Sequence, residues 1–349
     1  MIENKITKIR ISIGSAAKLG LLKLKMNIEP TNLHLLTYNS NGCSANCAFC
    51  PQSKYTHENY LNKINEQKYL SRIVWPSYDF NTILESLKNI CHSNEKNNVF
   101  KRICIQSLNY SGFEQDVIYI IKSIKEICNL PISISVPPVN RDFIKQFKEI
   151  GLDRICFAMD CANEEIFTKI KGSGNEGLYN WYDHLNHLKM AVDIFGKYKV
   201  TTHLIIGLGE TEYEALKFIY DMKKIGILTG LFSFYPIKYT KLANLQQPPL
   251  ISYRKIQLGK YLIDKNLEVI QNFIFDSNGV LIKFNISLET LKDICIEGKA
   301  FQTSGCPGCN RPYYTSSPKS IQYNFARPLN QKEKDQIYND LEKFCNKIY

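Results

Sequence analysis

Short apolar runs alternate along the chain with longer stretches whose apolar positions recur every three to four residues. The runs fall at 33–38, 100–108, 132–136, 155–159, 200–206 and 231–235, and the helical patterns near 79–91, 114–127, 140–150, 163–170, 180–195 and 211–225. A continuously apolar strand is buried on both faces, and such strands alternating with amphipathic helices imply parallel pairing through right-handed crossovers. Repeated six times, the unit predicts an α/β fold, either a doubly wound sheet or a TIM-type (β/α) barrel, partial or complete. The polar residues favour the barrel. Cys43, Asn109, Asp160 and Glu210 each follow an apolar run, at the rim where barrel enzymes place their chemistry.

Beyond residue 245 the pattern changes. Gln247-Pro248-Pro249 interrupts it, a helix is expected over 251–264, and Asp276-Ser277-Asn278-Gly279 separates two apolar runs as a hairpin would. The organisation expected is an N-terminal extension (1–30), a barrel core (31–245) and a C-terminal elaboration (246–349). Lys+Arg at 44 against Asp+Glu at 33 gives +11, which suits an acidic partner. The basic residues are scattered, which argues against nucleic acid. No leader is expected from the polar start of the chain, and no run is long and apolar enough to span a membrane. Twelve cysteines in a chain of 349 residues fit free, metal-binding thiolates of a reducing cytoplasm better than a secreted disulfide framework.

The strongest chemical signal is Cys43-Ser44-Ala45-Asn46-Cys47-Ala48-Phe49-Cys50, a C-x3-C-x2-C loop after the first core strand. Three thiolates on one short loop suit three irons of a [4Fe–4S] cube and leave the fourth open. A structural zinc site is the competing reading, but it needs a fourth ligand. With Phe49 before the last cysteine, the loop resembles that of the radical S-adenosylmethionine (SAM) superfamily. That resemblance implies a [4Fe–4S] cluster whose open iron chelates SAM, and a 5′-deoxyadenosyl radical as the reactive species.

Other positions follow from the same resemblance. Ile205-Ile206-Gly207-Leu208-Gly209-Glu210 is similar to the family's fifth-strand motif beside the adenine, which makes Gly207 and Glu210 cofactor candidates. Asp160 matches an acidic position that contacts the ribose or amino group in biotin-synthase-like members; a helix N-cap is its alternative role. The usual Gly-Gly-Glu after the second strand is replaced by Gln106-Ser107-Leu108-Asn109, so Gln106 and Asn109 become candidates for the amino-group contacts. Tyr235 is a candidate for the adenine edge, or simply ends a strand. His203 is a candidate contact to SAM or substrate, with a hydrogen-bonded core histidine as the alternative.

A second motif, Gly305-Cys306-Pro307-Gly308-Cys309, forms a C-x2-C knuckle that needs further ligands from elsewhere in the fold. Period-two alternation sends Cys104 inward with Gln106, and Cys156 inward with Asp160. Plain core packing is the alternative for both. Cys104 also falls where biotin synthase has a second-strand ligand, but Thr201, Ser133 and Ser135 stand where others would be, so this is not a biotin synthase site. A second, auxiliary [4Fe–4S] cluster on Cys306 and Cys309, with Cys104 as third ligand, is expected. Ser316 or Ser317 offers a weaker analogy to the serine ligand of single-chain lipoyl synthases.

Phrases along the chain, among them Leu70-Ser71-Arg72-Ile73-Val74-Trp75-Pro76 and Thr202-His203-Leu204, resemble biotin-synthase-related proteins and, within them, the subunits of the two-protein lipoyl synthase. This implies sulfur insertion into an octanoyl chain carried by a lipoyl domain or H protein, a second radical SAM subunit, and an electron donor such as ferredoxin or flavodoxin. Two alternatives remain: another biotin-synthase-like enzyme with a structural metal at the knuckle, and a non-catalytic SAM-binding partner.

Overall fold

The computed structural model describes residues 6–60, 69–92 and 100–346. The chain opens with β1 (Lys8–Ile11), α1 (Ile13–Lys18), β2 (Asn32–Thr37), α2 (Lys54–Tyr60), β3 (Tyr69–Leu70), β4 (Ile73–Val74), β5 (Ser77–Asp79) and α3 (Phe80–His92). Next come β6 (Arg102–Gln106), α4 (Phe113–Lys125), β7 (Ile132–Ser135), α5 (Arg141–Glu149), β8 (Arg154–Cys156), α6 (Glu164–Ile170), α7 (Trp181–Phe195), β9 (Val200–Ile206), α8 (Glu212–Lys224) and β10 (Ile227–Ser233). The C-terminal region contributes α9 (Leu250–Asp264), the hairpin strands β11 (Ile274–Phe275) and β12 (Leu281–Lys283), α10 (Leu288–Glu297) and α11 (Gln331–Leu341).

Strands pair in the order β10-β9-β8-β7-β6-β2-β1-β5. β2 and β6 to β10 are parallel, each to its neighbour, while β1 and β5 add antiparallel strands at one edge. The two ends of the sheet do not pair among the described residues, so the fold is a partial TIM-type barrel. Side chains that leave the strands outward, such as Leu33, Leu35, Ile103 and Ile105, join Val117, Ile120, Ile121 and Ile124 of α4 in one apolar core. The helices start where the caps fall: Asn140, Asn163 and Asn180 each accept the N3 amide, and Thr211 with Glu214 forms a capping box for α8.

Two strands differ from the apolar runs. β10 begins at Ile227 rather than 231, because Thr229 and Gly230 pair in register with β9 although they interrupt the apolar pattern. β8 stops at Cys156, since Met159 N–H donates to Thr202 Oγ1 and Phe157 C=O accepts from it, side-chain bonds that replace the ladder. The stretch expected as an N-terminal extension contributes β1 to the main sheet; its first five residues lie outside those described. The predicted hairpin forms around Gly279, whose φ is 74°.

The C-terminal segment spans the unpaired side of the barrel. Leu231 N–H of β10 donates to Ser304 Oγ, Thr31 ahead of β2 bonds Gly308 and Asn310, and Ser71 Oγ donates to the Tyr314 carbonyl. Cys91 and Cys128 form a disulfide between the end of α3 and the residues after α4. This corrects the expectation of uniformly free thiols: the ends of two adjacent helices bring the pair within bonding distance, which no sequence spacing announces. Among the described residues, no helix is long and apolar enough to cross a membrane.

Candidate active site

The cysteine loop lies past the C-terminal end of β2 and is fastened from both sides. Asn46 donates to the Asn175 carbonyl at 2.8 Å and accepts from Tyr55 N–H, while Ala48 N–H donates to the Ile170 carbonyl. Backbone amides point at the sulfurs: Asn109 N–H at Cys43 Sγ (3.2 Å) and Gln52 N–H at Cys50 Sγ (3.4 Å). Burial pushes all three thiols up, Cys47 to about 12 and Cys50 well above its usual range, and for Cys50 the neighbouring sulfurs add to the effect. Without a cation they would stay protonated. Iron supplies the positive charge that turns such thiols into thiolates, so the donor set fits a cluster.

Asp160 sits at φ 64° beyond the C-terminal end of β8, lines the cavity, and its main chain bonds His203 and Ile205 of β9. It does not cap α6; Asn163 does. Its carboxylate is bound at 2.9 Å by Lys171 Nζ, an ammonium buried over the Phe167 and Tyr179 rings. Burial alone would lower the Lys171 pKa, but Asp160 and then Cys47 outweigh it and the net direction is upward. Lys171 carries no sequence signal beyond its place at a helix end before a Gly-rich turn.

The remaining candidates divide. Phe49, Gln106, His203 and Tyr235 line the same cavity as Cys50 and Asp160. His203 stacks edge-on against Phe232, and burial, opposed by Asp160, lowers its pKa to about 4, so it is neutral at pH 7. Asn109, Gly207 and Glu210 do not line the cavity. Asn109 instead supports the cysteine loop through its amide, its carbonyl to Ser44 and its side chain to Tyr179. The Glu210 carboxylate accepts from Gly207 N–H (2.6 Å) and Leu208 N–H (3.0 Å), closing the turn in which Gly207 adopts φ 107°. A Cβ on Gly207 would stand 2.8 Å from Pro248, so the position needs glycine.

On the C-terminal segment, Cys306 and Cys309 face this cavity too, together with Cys104 and Cys156 from the strands. Cys104 and Cys156 are therefore cavity-facing rather than packed outward. Burial raises the thiol pKa of Cys104, Cys156 and Cys309, with Cys156 reaching about 12; for Cys104 the neighbouring Cys306 and Cys309 sulfurs add to the effect. Ser316 Oγ accepts from Tyr323 N–H and neither Ser316 nor Ser317 lines the cavity, so the serine analogy fails on placement. Sequence reasoning missed His34, Arg311 and Tyr314, which also line it. The available signal was alternation on the first core strand, where Asn32 and His34 interrupt an apolar run two residues apart.

The cavity encloses about 1210 Å³ of empty space, counting the solvent at its mouth. Among the described residues, no three His, Cys, Asp or Glu donors converge on the position of one metal ion.

Comparison with known proteins agrees with this geometry. The radical SAM superfamily profile matches residues 39–221. An uncharacterized protein of Methanocaldococcus jannaschii is 24% identical over 53% of this chain and 48% of its own length. Biotin synthase of Methanococcus aeolicus is 26% identical over 66% of each chain, and that of Clostridium acetobutylicum 22% identical over 79% of this chain and 86% of the enzyme. The chain thus spans about half to two thirds of the first two relatives. Among solved structures, methylornithine synthase is similar at TM-score 0.45 and 17% identity, covering 65% of this chain and 62% of that one. The FeFe-hydrogenase maturase of Carboxydothermus hydrogenoformans is similar at TM-score 0.49 and 16% identity, covering 67% and 51%. With the profile spanning more than half of the sequence and biotin synthases among the relatives, the chain belongs to the radical SAM superfamily and is a biotin-synthase-related member of it.

Proposed function

We propose that the protein is one component of a two-protein lipoyl synthase, inserting sulfur into an octanoyl chain carried on a lipoyl domain or H protein. The observation that carries this reading is that Cys50 of the loop and Cys104, Cys306 and Cys309 all face one cavity. When bound, the [4Fe–4S] cluster with SAM supplies a 5′-deoxyadenosyl radical and a second cluster supplies sulfide. Each insertion would consume one SAM and one electron from the donor, release methionine and 5′-deoxyadenosine carrying the abstracted hydrogen, and form one C–S bond, with the electron left over taken up by iron.

The residues of this chain have separable tasks. Cys43, Cys47 and Cys50 would hold the first cluster, and the amides of Asn109 and Gln52 donate to the Cys43 and Cys50 sulfurs. Asp160, oriented by Lys171, is an acceptor for the ribose or amino group of SAM; Phe49, Gln106 and Tyr235 line its path, and the Gly207 turn, held by Glu210, shapes the wall behind it. His203, Ile205 and Phe232 line the same cavity, and the apolar surface of Ile205 and Phe232 would help shield a carbon radical from side reactions. The net charge of +11 suits steering of an acidic carrier or electron donor such as ferredoxin or flavodoxin.

The test is an anaerobic assay with octanoylated carrier peptide, SAM and reductant, with and without the second subunit. A mass gain from thiolation is expected with the pair. Deoxyadenosine formation with unaltered peptide in both arms refutes the lipoyl reading and leaves another biotin-synthase-like reaction.

A further inference from the structure

The segment carrying the C-x2-C knuckle is pinned to the start of β2. Thr31 N–H and Thr31 Oγ1 donate to Asn310 Oδ1 at 2.9 and 3.0 Å, and Thr31 Oγ1 reaches the Gly308 carbonyl. Three residues on, His34 turns into the cavity. It is the in-register partner of Cys104 across the β2–β6 ladder, and its Nε2 lies 3.8 Å from Cys309 Sγ. Two strand neighbours and one knuckle cysteine are thereby held together although they are separated by up to 275 positions in sequence.

The imidazole makes few polar contacts there. It is 1% exposed, Nδ1 has no hydrogen-bond partner among the described residues, and the contact of Nε2 to sulfur is long for a hydrogen bond. Trp75 packs edge-on against the ring at 6.4 Å and Tyr314 tilts over it at 5.6 Å, fixing its orientation. An imidazole nitrogen buried against one long sulfur contact is under-satisfied, and a metal taking the Nε2 lone pair would relieve that. Other groups at this end are less suited. Arg311 is committed to the Ser304 carbonyl and to the face of Phe232, and the Cys156 thiol is engaged with Ser135 and Thr201.

We propose that His34 is the fourth protein ligand of the auxiliary cluster, binding one iron through Nε2 while Cys104, Cys306 and Cys309 bind the other three. The proposal rests on the two-cluster reading above. Its chemical consequence is a site with one neutral ligand among three thiolates. Such a ligand raises the cluster's reduction potential relative to four thiolates, as histidine does in other iron–sulfur centres. It also leaves more readily than a thiolate when a sulfide is consumed.

The experiment uses the full chain with Cys43, Cys47 and Cys50 replaced by alanine, reconstituted anaerobically without SAM, so that only an auxiliary cluster contributes signal. Iron is counted, and pulsed EPR of the reduced cluster is recorded on protein made with 14N- or 15N-histidine. About four irons per chain with a histidine nitrogen coupling that follows the isotope is the expected result. The coupling should persist in His203→Ala and vanish in His34→Cys, whose cluster should also reduce at a lower potential. A cluster of about four irons with no histidine coupling, or a coupling that survives His34→Cys, overturns the proposal. Absence of any cluster overturns the two-cluster reading itself, so the two failures are distinguishable. Because the isotope comparison needs no change at His34, misfolding of that variant does not blunt the test.

Discussion

Replacing Lys171 by methionine should destabilise the cluster-free protein by about 3–5 kcal/mol. The ammonium stands 2.9 Å from Asp160 Oδ2, with side-chain exposures of 4% and 10%. At an effective dielectric near 20 the pair attraction is about 6 kcal/mol, part of which offsets the desolvation of both ions. Methionine keeps the aliphatic stem against Phe167 and Tyr179 but leaves the carboxylate buried without its counter-charge. Asp160→Asn leaves the ammonium stranded in the same way, and asparagine tolerates the φ of 64° at that position, so no backbone penalty is added. The double variant should lose less than the sum of the two, with a coupling of roughly 2–3 kcal/mol. Urea unfolding of the apo-protein under reducing conditions reads all three values as shifts in midpoint at constant slope. Single variants within about 1 kcal/mol of wild type, or strict additivity, would refute the argument.

Three further outcomes follow from other parts of the molecule. Cys306→Ala with Cys309→Ala should lower bound iron from about eight to about four per chain while SAM cleavage persists; retention of all the iron would place the second cluster elsewhere. Gly207→Ala should lower stability by about 1–3 kcal/mol, since φ is 107° and the new methyl meets Pro248 at 2.8 Å, and an unchanged thermal midpoint would contradict that crowding. At Asp153, burial pushes the carboxyl pKa up, but Lys199 and Arg102, both at 2.6 Å, outweigh it and the net direction is down. Its contribution is therefore present above the ordinary 3.8 and lost as pH falls through the lower folded value. Asp153→Asn should cost about 1.5–3 kcal/mol at pH 7, the gap to wild type narrowing in acid; a gap independent of pH would show that the charge is not the cause.

Much of this architecture is local in origin and was legible in the order of residues. The apolar runs and intervening amphipathic stretches specify six parallel strands and their helices because burial on two faces or one leaves its period in the chain. The loop from Cys43 to Cys50 is equally legible, since three thiols within one turn of chain meet whatever surrounds them. Alternation carried Cys104 and Cys156 to the cavity side. It could not set strand ends where side chains replace ladder bonds, as Thr202 does for residues 157–159.

What only tertiary structure decided is which distant residues become neighbours. The disulfide of Cys91 with Cys128 depends on where two helices end. Glu210, which by motif belonged to the cofactor, turns its oxygens onto two amides of its own loop, a choice set by the left-handed backbone at Gly207. Lys171 finds Asp160 because the chain reverses after α6, and His34 finds Cys309 because the C-terminal segment bridges the unpaired side of the barrel and is pinned at Thr31. Such meetings depend on strand register and on the path of the backbone across the whole fold. Neither leaves a periodic trace in sequence, so a single histidine in an apolar strand reads as core until its neighbours are in place.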